Sequence, residues 1–254
     1  MTIQILPGVT VLFFLLFARI GSLVMLMPAL GEQTIPVNIR LAMALVLTLV
    51  LYPITVTSLP TGLENNAPQM ITALVREALI GLALGLLMRI LVSLSQTAGA
   101  IIAQNMGLSF AQTVDPTMGQ QGAILGSFLG MVGVTMIFVT DLHHVAIAGL
   151  AGSYKIFPPG GDFPVGDMAE VATDTIAGVF EVACQISAPF IVFGLVFSFA
   201  LGILAKLMPQ LQVYFLAMPV TIFVGLMLFA LLMVPMVMAY VGHIESGLMR
   251  LVPQ

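Results

Sequence analysis

The sequence predicts an all-α membrane protein with about six apolar helices arranged in kinked hairpins. The chain has 254 residues, of which 60% are hydrophobic and 7% are charged, and its mean hydropathy is +1.15. A soluble domain carries roughly 25% charged residues and could not cover so much apolar surface. The apolar residues also form runs of about membrane length. We therefore expect a single integral membrane domain over residues 1–254, with the lipid bilayer as one of its partners.

The apolar segments are separated by breaks rich in polar residues, Pro and Gly. In order, the segments are Val9–Leu30, Arg40–Leu59, Ile71–Ala103, Gly122–Thr140 with a short continuation to Gly152, Met168–Ala205 and Leu211–Gly242. Pro53 and Pro189 predict bends within their segments. Asp167, followed three residues later by Glu170, has the pattern of a capping box and predicts that the fifth helix starts there.

The last two segments are longer than a bilayer requires. Met168–Ala205 would form roughly 57 Å of helix and Leu211–Gly242 roughly 48 Å at 1.5 Å per residue. The hydrocarbon core of a bilayer is only about 30 Å thick, and tilt alone does not absorb the difference. Because the end of the last segment is apolar, we expect this hairpin to extend beyond the membrane and to be covered there by other protein.

The longest polar run in the middle of the chain is residues 104–121, between two apolar segments. It contains no Lys or Arg, and it carries Met106, Leu108 and Phe110 among its polar residues. A loop that is half apolar is expected to pack inside an enclosure. The sequence leaves two possibilities: the loop packs against its own helices, or it packs inside an assembly.

Small residues recur at a spacing of four in three segments, so each set lies on one helical face. They are Gly81 and Gly85 in the third segment, Gly122, Gly126 and Gly130 in the fourth, and Gly194, Ser198 and Gly202 in the fifth. Small residues allow helix backbones to approach closely in membranes. We predict tight packing at these faces, with partners inside the chain or in other subunits. The alternative is that glycine is simply common in membrane helices.

Arg19 and Arg89 lie inside apolar segments, where a charge is costly unless it is paired or faces a polar interior. Glu77 and Asp115 are the candidate partners. We predict a structural ion pair for Arg19, whereas Arg89 is also compatible with a side chain that reaches the membrane surface.

The sequence shows no arrangement that predicts catalysis, a cofactor or a metal. His143 and His144 are adjacent and should point to different faces of a helix, whereas a helical metal site requires i, i+4 spacing. Ser109 lacks the second glycine of a nucleophile elbow. One cysteine, Cys184, cannot form a disulfide framework. The net charge of −4 argues against nucleic acid as a partner. We expect no enzyme activity.

Several motifs resemble the FliR family of type III secretion export-gate subunits. Residues 104–110, Gln-Asn-Met-Gly-Leu-Ser-Phe, followed by Asp115-Pro116, look like the family's central signature. Further similarities are Arg19, Pro28, Ile35-Pro36, Arg40-Leu41-Ala42, His143-His144, Leu150, Ser153-Tyr154, Pro158, residues 207–211 (Leu-Met-Pro-Gln-Leu) and Pro219-Val220-Thr221. The resemblance covers nearly the whole chain. One departure is Asp141-Leu142, where the resemblance leads us to expect Asn-Gly, which leaves the geometry of that turn open.

The resemblance implies a role in flagellar protein export. Such a protein would assemble with FliP and FliQ into a gate in the bacterial inner membrane at the flagellar basal body, with FlhB and FlhA nearby and unfolded proteins as substrates. It implies a FliP-like part over residues 1–152, a FliQ-like long hairpin over 167–254 and a central plug loop over 104–121. The implied plug residues are Met106, Gly107, Leu108, Ser109, Phe110, Ala111, Gln112, Thr113, Val114, Asp115 and Pro116. A small-molecule transporter or channel is the alternative, although the two halves show no convincing inverted repeat.

Overall fold

The computed structural model describes residues 7–28, 30–31, 35–55, 66–108, 121–159, 161, 164–210 and 213–250. Within these residues every regular element is a helix. The helices are α1 (Pro7–Leu26), α2 (Val37–Thr55), α3 (Ala67–Asn105), α4 (Gln121–Val139), α5 (Leu142–Ile156), α6 (Val165–Leu207) and α7 (Val213–Met249). Five of them are long and apolar enough to cross a membrane, or six spans if α4 and α5 form one bent span. The predicted all-α membrane class and helix number are confirmed.

The two C-terminal helices exceed the thickness of a bilayer. α6 has 43 residues and α7 has 37, so they measure about 64 Å and 56 Å at 1.5 Å per residue. Pro189, Pro219 and Pro235 lie inside these helices without ending them. The prediction of a hairpin longer than the bilayer is confirmed, and α7 continues to Met249 rather than ending at Gly242.

α6 does not begin at the predicted position. It starts at Val165, and the Met168 amide donates to the Pro164 carbonyl at 3.1 Å. Asp167 therefore lies in the first turn, and its prediction as the N-cap was wrong. Pro164 is compatible with a helix start because the fixed φ of proline suits the first turn and its missing N–H is not needed there.

Two residues, Thr140 and Asp141, separate α4 from α5. Asp141 has φ 58° and ψ 15°, a left-handed conformation, and its side chain makes no capping hydrogen bond to α5. Asp, Asn and Gly are the residues that adopt this conformation most readily. Asp141 thus provides the left-handed turn that Asn, its counterpart in the family resembled, would also accept.

The helices pack into two units. The first comprises Met1–Leu91, Thr140–Ile176 and Glu245–Gln254. Its core includes Leu15, Leu16, Ala73 and Tyr154, with Val11, Leu12, Tyr52 and Leu74 packed around them. In this unit α1 packs against α2.

The second unit comprises Val92–Val139 and Ala177–Ile244, so it contains the end of α3, all of α4 and the middle of the long hairpin. Phe229 of α7 lies between Phe190 of α6 and Phe128 of α4, with ring centroids 6.3 Å apart in both pairs. The boundaries 1–152 and 167–254, which follow from the resemblance, remain predictions.

Candidate functional site

The end of α3 is where the central loop begins, and its backbone is closed by a Schellman motif. The Leu108 amide donates to the Ala103 carbonyl at 3.1 Å, and the Gly107 amide donates to the Gln104 carbonyl at 3.2 Å. These are the two hydrogen bonds of the motif, which requires a left-handed residue just beyond the helix. Gly107 meets this requirement with φ +78°. The sequence Met-Gly-Leu therefore encodes a sharp helix end.

The side chains at this helix end lie against glycines of the long hairpin. Met106 is fully buried, and a Cβ atom added at Gly225 of α7 would lie only 2.7 Å from its Cγ. Asn105 contacts Gly194 of α6 in a similar way, since a Cβ added at Gly194 would lie 2.6 Å from Asn105 Oδ1. Because neither glycine has a side chain, the last turn of α3 packs directly against α6 and α7 at these two positions.

The predicted plug residues are only partly within the described structure. Met106 is buried inside the chain, Gly107 forms the left-handed turn, and Leu108 is half-buried. Ser109, Phe110, Ala111, Gln112, Thr113, Val114, Asp115 and Pro116 lie outside the described residues. In this conformation Met106 is buried within the chain, and the plug role of Met106 and of the residues that follow it remains a prediction.

Most of the small residues predicted to pack helices do approach another helix of this chain. Gly81 faces the backbone of Arg19, and a Cβ at Gly85 would lie 2.8 Å from the Leu26 Cβ. A Cβ at Gly126 would lie 3.3 Å from the Gln96 carbonyl oxygen, and one at Gly130 would lie 3.4 Å from the Gln96 side chain. These positions bring α3 close to α1 in one unit and to α4 in the other.

The stripe on α6 is only partly used within the chain. Gly194 contacts Asn105, whereas Ser198 is exposed and an added Cβ at Gly202 would meet nothing within 4 Å. The packing around Gly122 is outside what the structure describes. The surface at Ser198 and Gly202 is therefore not covered by the described part of this chain.

Arg19 lies in a completely buried network in the first unit. Its Nε and one terminal nitrogen bind the two carboxylate oxygens of Glu77 at 2.6 and 3.0 Å. The same guanidinium donates to Ser153 Oγ at 3.3 Å and to the Phe157 carbonyl at 2.9 Å, and it lies 4.1 Å from the centroid of the Tyr154 ring. Of the two candidate partners, the structure places Glu77 against Arg19. The network joins α1, α3 and the end of α5.

Arg89 has a different environment. Its side chain is exposed on α3, which is compatible with an arginine that reaches the membrane surface. Asp115, the other candidate acidic partner, lies outside the described residues.

Asp141, His143 and His144 form a loose cluster at the start of α5. Their possible ligand atoms lie within 4.8 Å of one another, and His144 Nδ1 is 3.5 Å from Asp141 Oδ1. The two imidazole rings are 4.0 Å apart, although adjacent residues were expected to point to different faces. The predicted lack of a metal or catalytic site stays a prediction.

Sequence analysis did not identify several residues that contact α3 or belong to the Arg19 network. Gly99 makes a close backbone contact between α3 and α4, since an added Cβ would lie 2.6 Å from the Gly126 Cα. Gly225 is isolated in an apolar helix, and no spacing pattern marks it. Ser153 and Tyr154 were noted only as part of the family resemblance, and nothing in their local sequence points to Arg19.

The comparison with known proteins decides the family. The family model of bacterial export proteins, family 1, matches residues 10–247. The chain belongs to this family. Among relatives in the export family, the flagellar biosynthetic protein FliR of Caulobacter vibrioides is 42% identical over 85% of this chain and 86% of its own length. FliR of Escherichia coli is 31% identical over 94% of this chain and 90% of its own. The Yop proteins translocation protein T of Yersinia pestis is 24% identical over 82% and 80%. The resemblance to the FliR family is therefore confirmed.

Proposed function

We propose that this protein is a component of the flagellar type III export apparatus. In this role it forms a gate with FliP and FliQ in the bacterial inner membrane at the flagellar basal body, near FlhB and FlhA, through which unfolded flagellar proteins pass. Membership of the bacterial export family and the 42% identity to a FliR protein support an export role. The central loop over residues 104–121, with 106–116 as its plug residues, would plug the pore.

The exposed apolar surface of the long hairpin is the main structural support for the proposed assembly with other subunits. In the 18-residue stretch of α6 that is apolar enough to span a membrane, only 6% of the residues are buried within the chain. Phe199, Phe215 and Leu231 are each at least 70% exposed. A bilayer covers about 30 Å of a helix, which is less than half of the length of α6. The apolar surface that extends beyond the bilayer supports burial against other protein subunits, because soluble protein surfaces rarely expose large apolar patches.

Purification in mild detergent tests the assembly. We expect the chain to co-elute with FliP and FliQ as one large complex. A stable lone monomer or homodimer that carries a bound solute would instead support the small-molecule transporter or channel.

Deletion of Leu108–Phe110 tests the plug. An apolar constriction excludes water and ions by packing and dewetting, so we expect cells with this deletion to leak ions or small molecules while the complex still assembles. Normal permeability together with normal assembly would contradict the plug.

A further inference from the structure

We infer that Gly194, Thr221 and Gly225 are positioning residues that hold the first residues of the central loop at a defined place on the long hairpin. We call these three residues the loop seat. The inference that the seat matters for gating rests on the proposed function, whereas the seat itself rests on contacts within the second unit.

The seat contacts three consecutive residues at the end of α3. Asn105 lies on Gly194, and Met106 lies on Gly225. Gly107, whose φ is +78°, has its nearest neighbour in Thr221, with 3.7 Å between an added Cβ and Thr221 Cγ2. Thr221 and Gly225 are one turn apart on α7 and therefore share a face. Because two helices hold three successive residues, the direction in which the chain leaves α3 is determined by the hairpin.

The contact with Gly225 has little tolerance. An added Cβ would lie 2.7 Å from Met106 Cγ, 3.0 Å from Cε and 3.1 Å from Cβ. The first and last of these atoms are close to the backbone, so rotation of the outer thioether cannot remove the overlap. Met106 is also fully buried, and close-packed interiors leave no space for the displaced side chain. A single methyl group at residue 225 should therefore shift Met106 and the Schellman turn that follows it.

The Asn105 contact fixes the other side of the helix end. Asn105 Nδ2 donates to the Ile101 carbonyl at 2.8 Å, which orients Oδ1 towards the Gly194 surface. A Cβ added at residue 194 would lie 2.6 Å from Asn105 Oδ1 and 3.2 Å from its Cβ and Cγ, so a methyl group there should also displace the end of α3.

The experiment uses the full-length chain purified in detergent with the partners that co-purify, together with the cells that produce it. Gly225→Ala is compared with Gly242→Ala, a matched control on the same helix where an added Cβ meets nothing within 4 Å. The pair Gly194→Ala and Gly166→Ala repeats the comparison on α6, where an added Cβ at residue 166 meets nothing within 4 Å. Hydrogen exchange at the Gly107 and Leu108 amides reports on the seat, and uptake of a membrane-impermeant dye reports on the gate.

We expect Gly225→Ala to speed exchange at both amides about tenfold, since exchange follows local opening, and to increase dye uptake with co-elution unchanged. Gly242→Ala should change neither. Met106→Ala combined with Gly225→Ala removes the Cγ and Cε overlaps and leaves only the 3.1 Å Cβ contact. Both quantities should therefore return part of the way to those of the unaltered protein, which a general loss of stability would not produce.

Exchange at Gly107 and Leu108 that is the same in Gly225→Ala as in Gly242→Ala would overturn the seat. Faster exchange in Gly225→Ala without increased dye uptake would support the loop seat but would overturn its role in gating. If the unaltered chain does not assemble with FliP and FliQ while Gly225→Ala still speeds exchange at the two amides, the proposed function is contradicted and the loop seat is not.

Discussion

Replacement of Arg19 by Leu should strongly destabilise the chain because it leaves the buried Glu77 carboxylate without its partner. The two side chains share two hydrogen bonds at 2.6 and 3.0 Å, and both are at most 1% exposed. Removal of one member of a buried ion pair costs about 3–5 kcal/mol, chiefly because the other charge remains desolvated. We expect Arg19→Leu to lower the free energy of unfolding by an amount in this range, and Glu77→Leu to do the same.

The double variant separates this cause from simple loss of contacts. In Arg19→Leu/Glu77→Leu no unpaired charge remains, and apolar replacement of a buried pair is often close to neutral. The Phe157 carbonyl loses one charge-assisted hydrogen bond, whereas Ser153 keeps the bond that it donates to the Leu150 carbonyl at 2.7 Å. The expected cost of the double variant is therefore about 1–3 kcal/mol, that of one unsatisfied buried acceptor.

The measurement is the unfolding midpoint of the purified chain titrated with SDS in mixed micelles, converted to a free energy for each variant. Arg89→Leu, in which an exposed arginine of α3 is replaced, is the matched control and should change stability by less than about 0.5 kcal/mol. Single variants that cost under about 1 kcal/mol, or a double variant whose cost equals the sum of the two singles, would refute the reasoning.

Two further predictions concern glycine contacts and backbone conformation. Gly99→Ala places a Cβ 2.6 Å from the Gly126 Cα, where only backbone can yield, so it should destabilise the chain by about 1–3 kcal/mol in the same SDS titration. Gly242→Ala is its control, and equal midpoints for the two variants would contradict the close approach of α3 and α4. Asp141→Gly should be neutral or slightly stabilising and Asp141→Val destabilising by about 1–2 kcal/mol, since φ is 58° there. Thermal unfolding in detergent measures both, and a Val variant as stable as the Gly variant would exclude the left-handed turn.

The described part of the fold was predictable where it depends on local composition. Apolar runs of membrane length predicted the helices, and the length of the last two predicted a hairpin that exceeds the bilayer. The start of α6 was not predicted, because Asp167 and Glu170 match a capping pattern that the Pro164 carbonyl pre-empts by accepting from Met168 at 3.1 Å. A local pattern states which residue can cap a helix, and the backbone on its N-terminal side decides which residue does.

The sequence by itself determined that this is a helical membrane protein, that Arg19 needs a partner, and that a half-apolar loop follows Gln104. Hydropathy and the cost of a buried charge are properties of the residues themselves, so they can be read without a fold. Only the tertiary structure decided that the partner is Glu77, 58 residues away, and that Met106 is buried against Gly225. Such pairings depend on which helix faces approach one another, and a glycine shows its role only through the side chain that occupies the space it leaves open.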